Sequence, residues 1–567
     1  MRTGRVLMED NACSRLPVGL DDFKKLREGY LFVDKTRFIK EFLDNHSEVT
    51  LITRPRRFGK SMTLSMVKYF FTLERAAENR SLFDGTDIEK AGEKYMKEQG
   101  QWPVVLLSLK DIKPVKYSLM LVQIADRVKK LYKEHRYLVD EGFLQGEDHK
   151  DFQDILYERA SEGKLQLALG NLLEYLQRYH QKRVILLIDE YDVPVQAAWS
   201  AEESYYSEAI AFMRTFLTAA LKGNTALHFG IMTGVLRVAK ESIFSALNNL
   251  YVSSVVNGKY ADIFGFTQEE TAQLARAVGR EDKLEELKRW YDGYNFSGFE
   301  LYNPWSVVNY FASGCQPDIF WLNSSGNAII AELMEHAEES DDEKLLSLLE
   351  GEPVEAVVDE AVIYTDIYTN KDALYTMLLT AGYLKAVDSR LEDGERICTL
   401  AIPNNEIATV YRKEILNRYR GRMARSDLLN FLTCLAKGQA EKFSSGLQKY
   451  LEQIASFHDT ANKESFYHGF LLGLTAWFLP KYRVKSNRES GYGRFDLGIF
   501  PRVPGQAGII MEFKVADREE DMPKEAEAAL AQIERNDYLS DFREQGVERV
   551  WKYGIAFCGK KLSLVRG

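Results

Sequence analysis

Residues 49–70 read VTLITRPRRFGKSMTLSMVKYF, and this stretch decides the fold of the first part of the chain. VTLIT is a short β-branched apolar run, and the apolar residues from Met62 onward recur at helical spacing. The loop between them ends in Gly59-Lys60-Ser61, the second half of the pattern G-x-x-x-x-G-K-[ST]. We therefore predict a strand, a phosphate-binding loop and a helix, although Arg54 stands where the first glycine belongs.

The three residues at the end of this loop suit the binding of a nucleoside triphosphate. Gly59 lets the backbone approach the phosphates, Lys60 offers a positive charge to the β and γ groups, and Ser61 offers a hydroxyl to Mg²⁺. Arg54 and Arg57 could clamp the γ-phosphate, because a guanidinium group matches phosphate geometry. A solvated basic loop, or an ion pair with Asp34, is the alternative for these arginines.

Two later apolar runs support the same interpretation. VILLIDE, residues 184–190, predicts a buried strand that ends in Asp189, a ligand for Mg²⁺, and Glu190, which would polarise the attacking water. HFGIMTG, residues 228–234, predicts another strand, with Thr233 at its end and Arg237 soon after it. These two residues resemble the polar sensor of nucleotide-driven ATPases, although Arg237 could equally pair with a surface carboxylate. Apolar strands that alternate with helices predict a parallel α/β sheet.

Several longer stretches resemble a bacterial AAA-ATPase-like family that carries a nuclease-like C-terminal domain. They cover most of residues 16–330 and include LPVGLDDFKKLREGYLFVDKTRFIKEFL from Leu16, IDEYDVPV from Ile188, DIFGFTQEE from Asp262, WYDGYNFSG from Trp290, YNPWSVVNYF from Tyr302 and WLNSSGN from Trp321. The family loop also carries RPRRFGKS, so Arg54 is a family trait. The resemblance implies ATP binding, with Lys60, Ser61, Asp189 and Glu190 carried over by position.

A second group of charged residues lies near the C-terminus. Residues 491–514 read GYGRFDLGIFPRVPGQAGIIMEFK, which predicts two apolar strands joined by a turn. Glu512 and Lys514 share one strand face, because residues two apart point the same way. If Asp496 faces the same side, Asp496 and Glu512 would bind Mg²⁺ and Lys514 would orient or deprotonate a water. Alternating charges on an exposed strand are the alternative.

The spacing and the following helix resemble the PD-(D/E)xK nuclease fold. The resemblance makes Gln532 and Tyr538, in AQIERNDYL, accessory nuclease residues. KESFYHGFLLGL, residues 463–474, matches the same family's C-terminal domain. Glu464 is then either a carboxylate that assists the metal or an acidic residue that caps a helix.

The distribution of charge along the chain limits how it could bind nucleic acid. The chain has 567 residues with 74 Lys and Arg against 84 Asp and Glu, a net charge of -10, which disfavours a grip on nucleic acid by the whole molecule. Residues 481–502 nevertheless carry six basic and two acidic residues, with aromatic side chains at Tyr482, Tyr492 and Phe495 that could stack on bases. We predict that this basic strip binds nucleic acid, DNA in preference to RNA; a solvated rim is the alternative.

The expected fold class is α/β, with a P-loop NTPase parallel sheet, a helical middle region and a C-terminal PD-(D/E)xK-type α/β nuclease fold. The expected domains are residues 16–265, 266–402 and 403–567. The five cysteines are scattered singly and no apolar run is long enough to span a membrane, so we expect a cytoplasmic protein and leave a homo-oligomer open. The expected function is an ATPase coupled to a Mg²⁺-dependent nuclease; a non-cleaving switch or scaffold and, less favoured, a small-molecule phosphotransferase are the alternatives.

Overall fold

A computed structural model describes residues 15–237, 249–321, 339–361, 364, 366, 370–420, 425–454, 464–475, 478, 481–490 and 493–567. The chain divides into two compact units, each made of two segments. Unit 1 consists of Met1–Ser325 and Glu355–Glu406, and unit 2 consists of Gly326–Val354 and Ile407–Gly567.

Unit 1 is built around a five-stranded parallel sheet in the order β2-β3-β4-β1-β5. Its strands are β1 (Val49–Thr53), β2 (Val104–Ser108), β3 (Val184–Asp189), β4 (Leu227–Gly234) and β5 (Leu250–Ser253). Every residue of β1 and β3 is buried, as expected of strands covered on both faces. Because β4 separates β1 from β3, the phosphate-loop strand and the acidic strand both end beside β4. The predicted α/β class is confirmed.

Helices occupy most of the connections in unit 1. They span Phe23–Gly29, Arg37–Asn45, Lys60–Phe71, Ala76–Arg80, Asp87–Lys90, Glu93–Met96, Tyr117–Glu134, Tyr137–Asp140, Gly146–Leu156, Glu162–His180, Val193–Trp199, Tyr206–Leu221, Gln268–Ala277, Leu284–Tyr291, Pro304–Ala312 and Lys371–Ala381. The helix Gln268–Ala277 begins with a capping box between Thr267 and Glu270, the start signal expected from FTQEE.

The prediction of a helical region over 266–402 is wrong in part, because this region also contains strands. β6 (Tyr294–Phe296) pairs with β7 (Phe299–Leu301). β8 (Val354–Val357), β9 (Lys385–Glu392) and β10 (Glu395–Ala401) form a second sheet in the order β8-β10-β9. β6 and β7 are too short for a periodic pattern, and β9 lacks a buried face, so neither shows the alternation by which strands are recognised.

Unit 2 contains a five-stranded mixed sheet in the order β11-β12-β13-β14-β15. The strands are β11 (Tyr482–Ser490), β12 (Gly493–Pro501), β13 (Gly508–Val515), β14 (Val550–Cys558) and β15 (Lys561–Arg566); β13 and β14 are parallel and the other pairs antiparallel. The helices span Glu339–Glu350, Asn405–Arg420, Arg425–Ala436, Ala440–Ile454, Glu464–Thr475, Met522–Arg535 and Ser540–Glu544. The boundary between the units falls inside Asn405–Arg420.

In the described part of the chain, no helix combines the length and the apolar character that crossing a membrane requires.

Candidate functional sites

The loop between β1 and the helix Lys60–Phe71 has the shape of an anion cradle. Gly59 precedes the helix with φ of 86°, a left-handed conformation that glycine adopts without strain. Arg57 also has a positive φ, 68°, which is uncommon for a residue with a side chain and is typical of constrained functional loops. The N–H groups of the first helical turn therefore follow directly on a tightly folded loop, where an anion is stabilised.

Lys60 is buried beneath this loop, with 5% of its surface exposed. Its Nζ donates hydrogen bonds to the carbonyl oxygens of Arg54 and Pro55, both at 2.8 Å. Burial lowers the pKa of Lys60 to about 8, against the opposing effect of the nearby carboxylates, with Glu190 first among them. The loop carbonyls thus hold the ammonium group at the place where a phosphate would be bound.

Asp189, at the end of β3, joins the phosphate loop to β4. Ser61 Oγ donates to Asp189 Oδ2 at 2.6 Å, and Thr233 Oγ1 donates to Asp189 Oδ1 at 2.6 Å. Three predicted site residues from three separate segments therefore lie in one hydrogen-bonded group. The hydroxyl of Ser61 and the carboxylate of Asp189 are hard oxygen donors, the kind that Mg²⁺ prefers, so this donor set fits that cation.

Glu190 follows Asp189 in a left-handed conformation, with φ of 52°. Its backbone N–H donates to Thr233 Oγ1 at 3.3 Å, and burial raises the pKa of its side chain. A carboxylate with a raised pKa is a better proton acceptor near neutral pH than an exposed one. Glu190 is thus held next to Asp189 by the same threonine hydroxyl that Asp189 uses.

Asp192 belongs to the site, although sequence reasoning did not select it. It is 2% exposed, and its Oδ2 accepts the backbone N–H groups of Val235 at 2.8 Å and Leu236 at 3.0 Å. Tyr191 donates from its hydroxyl to the carbonyl of Leu236 at 2.6 Å. The second half of IDEYD therefore anchors the segment after β4, and the third acidic residue of that motif, Asp192, was the available signal. Arg237, partly buried at the end of this segment, keeps its sensor role as a prediction.

The prediction that Arg54 binds the nucleotide is wrong, because its guanidinium is fully buried and bonded elsewhere. Nη1 donates to the carbonyl oxygens of Thr53 at 2.8 Å and Ser253 at 2.9 Å, and Nη2 donates to Ser253 Oγ at 3.0 Å. Burial lowers the pKa of Arg54 to about 9. Asp34 is not its partner, since that carboxylate accepts the N–H groups of Thr36 and Asp87.

The residues Arg54–Phe58 are anchored to the region that follows the parallel sheet. The Arg54 guanidinium lies 5.4 Å from the ring centres of both Phe264 and Phe296. Gly382 approaches Pro55 closely, and Trp321 Nε1 donates a hydrogen bond of 3.1 Å to the carbonyl oxygen of Arg56. The Arg57 guanidinium lies 4.2 Å from the centre of the Trp305 ring. The ring centres of Phe58 and Tyr294 are 4.8 Å apart. The phosphate loop is therefore held in place by residues that come later in the chain than the parallel sheet. Arg57 also lies near enough to Glu190 for their charges to interact, and its contact with a phosphate stays a prediction.

In unit 2 the predicted carboxylates face each other across two strands. Leu497 pairs with Met511, and the same register continued by one residue sets Asp496 directly opposite Glu512. Phe513 N–H donates to Asp496 Oδ2 at 2.7 Å, and Asp496 N–H donates to Glu512 Oε2 at 3.4 Å. The side chain of Glu512 is 2% exposed. Two carboxylates thus share one side of the sheet, which is the condition that the sequence left open.

The accessory residues lie at the same place. Gln532, on the helix Met522–Arg535, donates from its side-chain amide to Glu512 Oε1, and it also lies 3.4 Å from the Tyr538 hydroxyl. Asn536 donates to that hydroxyl at 2.8 Å. No ion pair joins Lys514, two residues beyond Glu512, to any residue described in unit 2. Helix and strand together therefore fix the orientation of Glu512.

This donor set fits one divalent cation. Like charges directly opposite on paired strands are destabilising, and a cation between Asp496 and Glu512 would remove that repulsion. Among the described residues no group of three or more His, Cys, Asp or Glu side chains is arranged to hold a metal ion, so the ligands that the structure provides here are these two. Glu464 begins the helix Glu464–Thr475, but its side chain lies outside the described residues.

The basic strip 481–502 is only partly exposed. Lys481, Arg483 and Arg502 are exposed, whereas Lys485 is 9% exposed and pairs with Asp541 at 3.5 Å. The prediction that Tyr482 and Phe495 stack on bases is wrong, since both side chains are buried and Phe495 lies in the core. Tyr492 and the side chains of Arg488 and Arg494 lie outside the described residues.

Comparison with known proteins identifies the two domains in which these sites lie. Residues 17–244 match a family model described as a predicted AAA-ATPase, and residues 462–566 match one described as the PD-(D/E)XK nuclease superfamily. The resemblance stated from the sequence is thereby confirmed. The chain contains an AAA-ATPase-like domain and a nuclease-like domain, and domains of these kinds generally use a nucleotide and a divalent metal.

Two individual proteins are also similar to this chain. An uncharacterized protein encoded in the vnfD 5′ region of Azotobacter chroococcum mcd 1 is 24% identical over 418 residues, which cover 71% of this chain and 70% of that protein. A Walker-type ATPase of Pyrococcus abyssi is 14% identical, with a TM-score of 0.32, over 67% of this chain and 94% of its own.

Proposed function

We propose that this chain hydrolyses ATP in unit 1 and cleaves nucleic acid, DNA in preference to RNA, in a Mg²⁺-dependent reaction in unit 2, with the nucleotide state regulating the nuclease. The observation that carries the proposal is the meeting of Ser61 and Thr233 on Asp189 in a chain that also sets Asp496 opposite Glu512. Each carboxylate group also has a lysine in its motif, Lys60 in the first and Lys514, two residues beyond Glu512, in the second, which suits a phosphate-bearing substrate.

At the first site, Lys60 would exchange the carbonyls of Arg54 and Pro55 for phosphate oxygens of ATP. Ser61 and Asp189 would hold Mg²⁺, which neutralises phosphate charge when bound. Glu190, whose pKa burial raises, would orient the attacking water and accept its proton. A shift of the Asp189 carboxylate on nucleotide binding would also move Thr233 on β4, because the Thr233 hydroxyl donates a hydrogen bond to that carboxylate.

At the second site, Asp496 and Glu512 would hold Mg²⁺, which stabilises the charge that develops on a phosphodiester. Lys514 Nζ would orient or deprotonate the attacking water. Gln532 would keep Glu512 in place through its side-chain amide. The exposed Lys481, Arg483 and Arg502 would attract the nucleic-acid backbone despite the acidic excess of the whole chain.

A cytoplasmic location is part of the proposal. Among the described cysteines, Cys398, Cys434 and Cys558 are free thiols, as is typical of proteins in a reducing compartment.

The test measures phosphate release from ATP and Mg²⁺-dependent cleavage of DNA and RNA by the wild type, Lys60→Ala and Lys514→Ala. We expect Lys60→Ala to lower ATP hydrolysis about a hundredfold or more, and Lys514→Ala to lower cleavage similarly while ATP hydrolysis is retained. Lys485→Ala is the matched control in unit 2, because that lysine already pairs with Asp541. Unchanged activities in both variants would refute the proposal. Binding of ATP and DNA without cleavage in any divalent metal would replace it with a non-cleaving switch.

A further inference from the structure

The hairpin formed by β9 and β10 has one edge that no strand covers. In the sheet order β8-β10-β9, β9 is the outer strand, and within the described residues only β10 pairs with it. Its residues from Val387 to Glu392 are all exposed, with Val387 at 52% and Leu391 at 75%. An open edge that carries exposed apolar side chains is a template for pairing with another strand.

The turn of the hairpin determines which backbone groups point away from it. Asp393 and Gly394 have φ of 50° and 87°, the combination required by a type I′ turn of two residues. Glu392 and Glu395 then form the hydrogen-bonded pair that closes the turn, and hydrogen-bonded pairs alternate along an antiparallel ladder. Arg390 therefore bonds inward to β10, whereas the N–H and C=O groups of Ser389 and Leu391 point to the open edge.

We propose that a second copy of this chain docks on this edge, with the two β9 strands antiparallel and Ser389 on the two-fold axis. Residues whose N–H and C=O groups point to the open edge in one copy must lie opposite such residues in the other copy. One β9 strand can therefore shift along the other only by two residues at a time. With Ser389 opposite its own copy, Asp388 faces Arg390 and Val387 faces Leu391. The neighbouring registers set Asp388 opposite Asp388, or Arg390 opposite Arg390, and like charges directly opposite are destabilising.

Arg390 already has two ion-pair partners within its own chain. It pairs with Glu355, on β8, at 2.5 Å and with Glu392 at 3.1 Å, so in the dimer it would share or exchange these carboxylates with Asp388 of the second copy. The register shifts between Thr399 and Leu400, which marks a bulge near Val387 and limits regular pairing to about five residues on each strand. Such a contact is small, so we expect a reversible, concentration-dependent dimer.

The first test is analytical ultracentrifugation of the full chain over a range of concentrations. Ser389→Pro removes an N–H that points to the open edge, while Ser389→Ala keeps it and serves as the matched control. We expect the wild type and Ser389→Ala to dimerise, and Ser389→Pro to raise the dissociation constant about tenfold or more. A wild type that stays monomeric throughout, or equal dimerisation of the proline and alanine variants, would overturn the proposal.

A cross-linking test covers the case in which Ser389→Pro fails to fold. Ser389→Cys sets a thiol opposite its own copy, whereas Val387→Cys sets the two thiols about 13 Å apart, four residues along the strand. A short thiol cross-linker should join two Ser389→Cys chains above the background of the native cysteines and leave Val387→Cys chains unlinked. Equal cross-linking of the two variants, or none of either, would contradict this register.

Discussion

At the site in unit 1, Asp189 accepts hydrogen bonds from two side-chain hydroxyls, whereas in unit 2 Asp496 and Glu512 accept from backbone amides and from Gln532. Lys60 likewise bonds two loop carbonyls, while no ion pair holds Lys514 among the residues described in unit 2. The first site must exchange partners when a nucleotide binds, because its internal bonds occupy the groups that the ligand needs. The second site depends on strand register and is already formed. We therefore expect unit 1 to respond to ligand state and unit 2 to provide a fixed centre.

The strongest test of the fixed centre is Asp496→Asn, which removes one of two opposed carboxylates without changing its size. We expect Mg²⁺-dependent cleavage to fall by about a thousandfold or more, because a single carboxylate no longer holds the cation. Without Mg²⁺ the variant should be at least as stable as the wild type, since a like-charge repulsion is lost. Nuclease assays and thermal unfolding with and without Mg²⁺ measure both effects.

Asp541→Asn is the matched control, because Asp541, on the helix Ser540–Glu544, is a carboxylate of the same unit that pairs with Lys485 on β11. It should retain cleavage. A metal-free Asp496→Asn protein that is clearly less stable than the wild type would show that this carboxylate is mainly structural.

The site in unit 1, which must exchange hydrogen-bond partners when a nucleotide binds, is tested by Thr233→Val. This substitution keeps the shape of the side chain and removes its hydroxyl. Asp189 Oδ1 and the Glu190 N–H then lose a partner, so we expect ATP hydrolysis to fall about tenfold to a hundredfold. Thr50→Val is the control, because Thr50 is buried on β1 and its Oγ1 has no hydrogen-bond partner in the described structure. Phosphate release should separate the two variants, and equal rates would contradict a role for the Thr233 hydroxyl.

The pH dependence of ATP binding tests the role of the buried Lys60. Burial lowers the pKa of Lys60 to about 8 in the free protein, and a bound phosphate favours its charged form. Below about pH 8 the lysine is already protonated, so affinity is unaffected there. Above it, binding must take up a proton, and affinity should fall by about tenfold per pH unit. Calorimetric titration across this range measures the slope, which Lys60→Arg should abolish because arginine stays charged.

The smallest effect is expected at the basic strip. Alanine at Lys481, Arg483 or Arg502 should weaken DNA binding a few-fold, because each of these side chains is exposed and can contact a DNA phosphate. Each substitution should also reduce the number of ions released on DNA binding by about one. Lys485→Ala should leave the salt dependence unchanged. Binding measured at several salt concentrations tests this difference, and an equal loss in all four variants would argue for a general charge effect.

Much of both sites could be predicted because strand ends and strand alternation are local properties. VILLIDE and HFGIMTG each show where a buried strand stops, and this predicts that Asp189 and Thr233 lie at the same edge of a parallel sheet. The alternation in IIMEFK likewise indicated that Glu512 and Lys514 share a face.

The errors concern residues whose surroundings come from distant segments. Arg54 lies in a basic loop by sequence, yet Ser253, 199 residues away, accepts its hydrogen bonds. Phe495 is an aromatic residue beside basic ones, but it packs into a core with Tyr538 and Phe542. The β9–β10 hairpin has an Asp393-Gly394 turn, a strong local signal, which the exposure of β9 on both faces concealed.

The division of the chain into alternating segments has a consequence for synthesis. Unit 1 needs residues up to Glu406, while Gly326–Val354, made earlier, belongs to unit 2. As the chain leaves the ribosome, this earlier segment emerges well before the strands of β11–β15 exist. It must wait without the rest of its own unit until the chain of the ATPase-like unit has been completed. No single truncation frees one unit from every part of the other, and a nascent chain arrested before residue 407 would carry residues 326–354 without the rest of their unit.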